Sequence, residues 1–314
     1  MNTEDFAGRE CSSLGEEDLT LIDYPNRETS LGALNISRAL PIRDRRMVGA
    51  WCFLDRFGPL TFSGEKPMNV LPHPHIGLQT ITWLLDGEVL HTDSLGSEAI
   101  LHPGGVNVMT AGKGIAHAEE TPNDNRGALD GVQLWTALLD EHRHIPPSFT
   151  KLEEVPDVEL SGGIIRLFAG EMDDLTSPAP HFSEILGADV QIHSHEICTI
   201  PLKPEFEHAI LLLHGDCSLE GEALGKKSLY YLGKRRDCLS LNSKNGCRLL
   251  LIGGLPFPER ILMWWNFVAR TPEEIAQARS DWEAERRFGK VPLENRQRLS
   301  APSLARFAQP NPMS

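Results

Sequence analysis

Two short stretches hold the residues whose types and spacing suit metal chemistry. In LPHPHIGLQT, residues 71–80, His73 and His75 stand two positions apart, each directly after a proline. Residues two apart in a strand point to the same face, so both imidazoles project together if the segment is extended. Pro72 and Pro74 favour extension, because each restricts its own φ and biases the residue before it. A rigid imidazole pair is a chelate that loses little positioning entropy. On this spacing alone, two exposed or hydrogen-bonded histidines are an equal reading. The second stretch, MTAGKGIAHAEETP, carries His117 and Glu119, again two apart and 42 residues after His75. If the fold joins the stretches, three imidazoles and one carboxylate converge and leave positions open on a six-coordinate ion. Two histidines and one carboxylate already make the facial set with which non-haem iron handles substrate and oxygen. Gly112 and Gly114 let the backbone turn closely ahead of the second pair.

The elements that must position these residues read as strands. From Val48 to about Leu139, short apolar runs alternate with glycine turns, and LQTITWLLDGEVLHTD is the clearest case, its Asp86-Gly87 predicting a tight hairpin. Further turns are predicted at Leu95-Gly96, Pro103-Gly104-Gly105 and around Gly112 and Gly114. Many short strands at this spacing predict a sandwich or barrel. A polar connection around residues 140–162 leads to a second strand-rich stretch, Ile164 to Gly254, so two β-domains in tandem are expected. In TPEEIAQARSDWEAERRF, Thr271 is placed as N-cap, Pro272 at the first helical position and Glu274 three residues after the cap, with Ile275, Ala278 and Trp282 on one apolar face. The expected organisation is a flexible N-terminus over residues 1–19, a metal-binding domain over 20–145, a second domain without metal over 146–270, a helix over 271–288 and an extended or disordered tail over 289–314.

Composition excludes some partners. The chain has 314 residues and a formal net charge of −14, so a phosphate backbone is repelled on balance and nucleic acid is not an expected ligand. No uncharged apolar run approaches the ~20 residues that cross a bilayer. The six cysteines, Cys11, Cys52, Cys198, Cys217, Cys238 and Cys247, form no CxxC pair, and the acidic N-terminus lacks the pattern of a signal peptide. A cytoplasmic protein is expected, with the four C-terminal cysteines as buried free thiols, and a monomer.

HPHIGLQTITWLLDGEVLHTDSLGS, ILHPGG, MTAGKGIAHAEE and GVQLWTAL closely resemble the pirins, a branch of the cupin superfamily, and the resemblance runs over about residues 35–290. It implies an all-β bicupin: two tandem antiparallel β-barrels of the double-stranded β-helix type with a C-terminal helix. It also implies one metal, generally iron, in the N-terminal barrel on His73, His75, His117 and Glu119, and none in the C-terminal barrel. His193 and His195 share an HSH there without a matching second cluster. Fe(II) suits the histidine and carboxylate set with open positions, and manganese, nickel, cobalt, copper and zinc are alternatives.

Two positions depart from the family pattern. Gln79 stands where cupins place a glutamate, which makes Glu119 the better carboxylate; by strand parity Gln79 is expected at the edge of the pocket. Ala118 replaces a frequent serine.

Some pirin-like proteins are quercetin 2,3-dioxygenases, which open the central ring of a flavonol with oxygen and release carbon monoxide. The resemblance implies this reaction, with a flavonol or other aromatic small molecule and O2 as substrates and Glu119 as proton acceptor. Phe53, Trp51, Met68, Val70, Met109 and Trp135 are the apolar candidates for the pocket wall. His91 reads as a surface or structural residue and His102 as exposed. The alternative from the same resemblance is a regulator that binds a transcription factor or metabolic enzyme in a metal-dependent way, and the acidic surface suits docking on a basic protein patch.

Overall fold

A computed structural model of the chain describes residues 20–31, 34–64, 66–293 and 297–304. The expected flexible N-terminus, with Cys11, and the last ten residues of the expected tail lie outside the described residues. Among the described residues, regular structure is almost entirely antiparallel strand, with one helix at Pro272–Glu283, as the all-β reading requires.

The chain divides into two units. One contains residues 28–41, 52–154 and 258 onward; the other contains the chain up to Arg27 with 42–51 and 155–257. The sequence reading runs its second domain from 146 to 270, whereas the structure groups residues from Pro258 with the first barrel. Two contacts account for this. The strand Ile22–Pro25 pairs with Ser228–Gly233 in the second barrel. The C-terminal hairpin of Leu262–Trp264 and Phe267–Ala269 meets the first barrel at Ile76, whose carbonyl accepts the Val268 N–H at 3.1 Å.

The first barrel has a seven-stranded sheet in the order Ser148–Leu152, Val106–Thr110, Leu78–Gly87, Ala128–Ala137, Trp51–Thr61, Leu34–Leu40 and Arg27–Leu31. A four-stranded sheet follows the order Asn69–His75, Ile115–Glu120, Val89–Asp93 and Glu98–Leu101. The tight hairpin expected at Asp86-Gly87 does not form. Leu78–Gly87 and Val89–Asp93 belong to different sheets, and the chain crosses from one to the other at Gly87. That glycine has φ +84°, and a Cβ on it would lie 2.1 Å from the Ala128 carbonyl. Here glycine marks a barrel corner with close backbone approach, a use the dipeptide does not distinguish from a hairpin turn. The predicted turn at Leu95-Gly96 does join antiparallel neighbours, Val89–Asp93 and Glu98–Leu101.

The helix starts where its caps predict. Thr271 is the N-cap, and its hydroxyl accepts the Glu274 N–H at 3.3 Å. The Glu274 carboxylate reaches past the cap to the Arg270 N–H at 2.9 Å and pairs with Arg143, both contacts at 3.0 Å. Ile275, Ala278 and Trp282 pack with Phe267, Phe288, Ile76 and Ala116. Within the tail, the Leu299 N–H donates to the Pro72 carbonyl at 2.9 Å.

The second barrel has a main sheet in the order Ile22–Pro25, Ser228–Gly233, Glu207–Gly215, Cys247–Gly254, Ile185–Ile192, Gly163–Met172 and Asp157–Leu160, with Leu175–Thr176 beside Gly163–Met172. A smaller sheet holds Glu196–Pro201, Cys238–Ser243, Ser218–Leu219 and Glu222–Ala223. Its core is apolar, built from residues such as Ile165, Leu167, Val190, Ile210, Leu212, Leu249 and Leu251. Cys198, Cys217 and Cys247 are buried free thiols there, as is Cys52 in the first barrel. Cys238 departs from the expectation of four free thiols, being disulfide-bonded.

Candidate metal centre

Adjacent strands of the four-stranded sheet carry the two motifs. Asn69–His75 pairs antiparallel with Ile115–Glu120, placing His117 opposite His73, and a bulge between His117 and Glu119 shifts the register. The other edge of Ile115–Glu120 pairs with Val89–Asp93, placing His117 opposite Asp93 and Glu119 opposite His91. Ile76 and Ala116, next in chain to His75 and His117, sit in the cluster that holds the C-terminal helix. The helix thus braces the two strands from behind.

The ligand atoms of His73, His75 and His117 lie within 4.8 Å of one another, and all three residues are buried. His75 Nε2 and His117 Nε2 are 3.1 Å apart. Two nitrogens at right angles on one ion, each ~2.1 Å from it, would be separated by ~3.0 Å. His73 Nδ1–H donates to the Leu71 carbonyl at 2.8 Å, which leaves its Nε2 lone pair free. Burial pushes the His73 imidazole down to about 4, partly offset by the Leu71 hydrogen bond, with the His91 charge lowering it further. Burial and then the other imidazoles hold His75 and His117 well below the usual histidine range. All three rings are therefore neutral near pH 7, the form that ligates. The donor set and spacing fit a single transition-metal ion.

Glu119 is close but outside the three-histidine group. Its carboxylate forms a second group with His91 and His117, again within 4.8 Å. Thr82 Oγ1 donates to Glu119 Oε1 at 3.3 Å and has Gln133 Oε1 as an alternative acceptor at 3.0 Å. Burial raises the Glu119 carboxyl, against smaller lowering effects of His91 and Thr82.

A cavity of about 450 Å³ opens onto these residues, lined by His73, His75, His117 and Glu119. Four of the expected wall residues line it: Phe53, Met68, Val70 and Trp135. Phe53 and Trp135 stack with ring centroids 3.9 Å apart, the Arg38 guanidinium lies 4.5 Å above Phe53, and Trp135 meets His75 edge-on at 5.1 Å. Arg38 is held by both oxygens of Asp55, each at 2.7 Å.

Three other candidates are not among the lining residues. Gln79 is buried in the seven-stranded sheet, donating to Thr110 Oγ1 at 3.0 Å and accepting from Thr136 Oγ1 at 3.3 Å. Strand parity does not carry from His75 to Gln79, because the chain changes sheets at Ile76-Gly77, where Gly77 has φ +68°. Met109 is buried. Trp51 falls in the other unit, where its indole N–H donates to the Leu186 and Gly253 carbonyls at 3.2 and 2.9 Å. His193 and His195 are exposed.

His91 is the main residue that sequence reasoning missed. It is buried, its ring stacks on Phe149 at 4.2 Å, Nδ1 is 3.3 Å from His117 Nδ1, and Nε2 is 3.2 Å from Asp93 Oδ2. Burial pushes the Asp93 carboxyl up, but hydrogen bonds from His91, Ser97 and Leu95 outweigh it and hold the group below its ordinary value. A signal was available: His91 and Asp93 repeat the two-residue spacing of the other pairs. Met263, Trp265, Asn266 and Leu299 also line the cavity, and their distance along the chain hides them from any local pattern.

Residues 33–136 match the family Pirin, and residues 187–289 match the Pirin C-terminal cupin domain. A pirin-like protein of Caulobacter vibrioides is 36% identical over 270 residues, covering 84% of this chain and 93% of its own length. The chain belongs to the pirin family. This pirin is also 42% identical over 308 residues to a Pseudomonas aeruginosa protein provisionally named quercetin 2,3-dioxygenase, covering 96% of this chain and 97% of that protein. A crystal structure of quercetin 2,3-dioxygenase from Acinetobacter baumannii superposes on this pirin with a TM-score of 0.89 at 40% identity, covering 94% of this chain and 98% of that one. No helix of this pirin is long and apolar enough to cross a membrane among the described residues.

Proposed function

We propose that this pirin is a metal-dependent dioxygenase acting on a flavonol or a related enolisable aromatic, with quercetin as the leading substrate. One observation carries the reading: three neutral imidazoles with a carboxylate beside them at an aromatic-walled cavity of about 450 Å³. The named relatives supply the reaction class. His73, His75, His117 and Glu119 would hold the ion, with Fe(II) first among the candidates because the donor set is imidazole and carboxylate. When bound, the ion supplies Lewis acidity toward the 3-hydroxyl and a meeting place for substrate and oxygen.

The rest is the work of the chain. Phe53 and Trp135 form an aromatic wall against which a planar substrate packs, and Met68 and Val70 exclude water from its edge. Glu119 accepts the hydroxyl proton: burial raises its proton affinity, and Thr82 holds one of its oxygens by donating to it at 3.3 Å. A carboxylate on a cation is a poor proton acceptor, so Glu119 serves as base only when it is off the ion, and its grouping with His91 and His117 gives it a place there. Oxygen uptake and carbon monoxide release after adding quercetin to anaerobically iron-loaded protein test the reading. Turnover in the parent and its loss in His73→Ala are expected; an iron-loaded parent that consumes no oxygen with quercetin overturns it.

A further inference from the structure

Three adjacent strands of the seven-stranded sheet turn alternate residues into the cavity. Arg38 comes from Leu34–Leu40, Phe53 and Asp55 from Trp51–Thr61, and Gln133 and Trp135 from Ala128–Ala137. The candidate metal ligands reach the same cavity from the four-stranded sheet. Apart from Glu119 and the histidines, Arg38 and Asp55 are the charged residues among those that line it.

Arg38 is held on two sides. It lies opposite Asp55 in the strand register, and its Nε–H and one Nη2–H donate to the two Asp55 oxygens, each at 2.7 Å. The guanidinium carbon is 4.5 Å from the centre of the Phe53 ring, which stacks in turn on Trp135. A guanidinium carries five N–H donors in a rigid fork, and Asp55 takes two of them. The two on Nη1 and the second on Nη2 meet no acceptor among the described residues. The Arg38 side chain keeps 24% of its surface exposed and lines the cavity. Donors fixed in place beside a ligand cavity and left without an acceptor suit a ligand oxygen, because little ordering is lost when it arrives.

The neighbouring carboxylate decides which oxygen. An anionic group drawn to Arg38 also meets Asp55, so the pair offers little net charge to attract it. An aromatic hydroxyl accepts a hydrogen bond without that repulsion. We propose that Arg38, braced by Asp55 and Phe53, selects flavonols that carry a ring hydroxyl beyond the 3-hydroxyl, and donates from Nη1 to the oxygen of that hydroxyl. The proposal rests on the reading of this cavity as a flavonol site, and it adds the residue that reads the substitution pattern.

Anaerobic fluorescence titrations on protein of matched metal content test it. The probes are 3-hydroxyflavone, which has no hydroxyl but the 3-hydroxyl, quercetin, which has four more, and a 3-hydroxyflavone bearing a carboxylate. The parent is expected to bind quercetin about tenfold more tightly than 3-hydroxyflavone, the size of effect of one hydrogen bond from a charged donor. Arg38→Met keeps an unbranched side chain against Phe53 but has no N–H. It is expected to lose most of that preference while its affinity for 3-hydroxyflavone stays within about twofold of the parent. The carboxylated probe is expected to bind the parent no more tightly than 3-hydroxyflavone does.

Equal affinity of the parent for quercetin and 3-hydroxyflavone overturns the proposal. So does an Arg38→Met protein that keeps the preference, or that loses affinity for both probes alike, as a merely structural role would require. Tighter binding of the carboxylated probe than of quercetin overturns the choice of a hydroxyl. A parent that binds none of the probes brings down the flavonol reading and this proposal together. A parent that shows the Arg38-dependent preference but consumes no oxygen upholds the contact and loses the dioxygenase reading alone. If Arg38→Met does not fold, the double variant Arg38→Met, Asp55→Asn, which leaves no unpaired carboxylate, decides in its place.

Discussion

Trp135 stands between the stack on Phe53 and the edge of His75, so it touches both the substrate wall and the ligand set. Aromatic pairs contribute about 1 kcal/mol beyond the area they bury. Trp135→Leu is therefore expected to weaken flavonol binding by about fivefold at unchanged metal content. Fluorescence titration and metal analysis on one preparation check this, and an unchanged dissociation constant would remove Trp135 from the wall.

His208, in the second barrel, gives a pH prediction away from the metal centre. Burial, then the Arg236 charge, lowers its imidazole from 6.5 to about 4. Between those values the unfolded chain holds more protons than the folded one. The stabilising contribution is thus full above about 6.5 and is lost as pH falls toward about 4. From pH 7 to pH 5 it amounts to about 2 kcal/mol. Urea melts at the two pH values should show His208→Leu losing about 2 kcal/mol less than the parent over that interval, and equal losses would contradict the assignment. The four residues of the HxH and HxE motifs were legible because strand parity places each pair on one face. His91 was passed over although His91 and Asp93 repeat that spacing, since only the sheet puts them beside His117 and Glu119.

Among the elements, the link from His75 to the next strand is tightly constrained. Gly77 has φ +68°, and a Cβ on it would lie 2.1 Å from the Val268 carbonyl. Gly77→Ala therefore meets both backbone strain and a clash with the C-terminal hairpin, a combined cost of about 2 kcal/mol or more. Hydrogen exchange should show the Val268 amide losing protection, since that N–H donates to the Ile76 carbonyl at 3.1 Å. Retained protection would mean that the hairpin does not depend on this close approach. The strands and the helix were legible from alternation, glycine turns and caps. The Asp86-Gly87 hairpin was misread because a barrel corner and a hairpin ask the same conformational freedom of glycine. Only the position of Ala128 separates the two, and that is a long-range fact.

At the scale of the whole molecule, the two barrels differ in what fills them. The first turns histidines, Glu119 and Asp93 inward, whereas the second packs leucine, isoleucine and valine. One metal ion per chain is expected by elemental analysis after saturation and desalting. None is expected in a His73→Ala, His117→Ala double variant, and metal retained there would place a site elsewhere in the chain. Two tandem β-domains could be read from the strand-rich stretches and the polar connection. The pairing of Ile22–Pro25 with the second barrel, and of residues from Pro258 with the first, could not, because no local pattern records an exchange of terminal segments.

The most direct test of the central claim is a turnover of quercetin by the iron-loaded protein under heavy-isotope oxygen gas, with mass spectrometry of the products. A metal-dependent dioxygenase should place both atoms of one oxygen molecule in the ring-opened product. The carbon monoxide should be unlabelled, because the carbon that leaves keeps the oxygen it already bears. His73→Ala should give neither product. Incorporation of one labelled atom or none, or equal turnover by His73→Ala, would contradict the assignment of this centre as a dioxygenase.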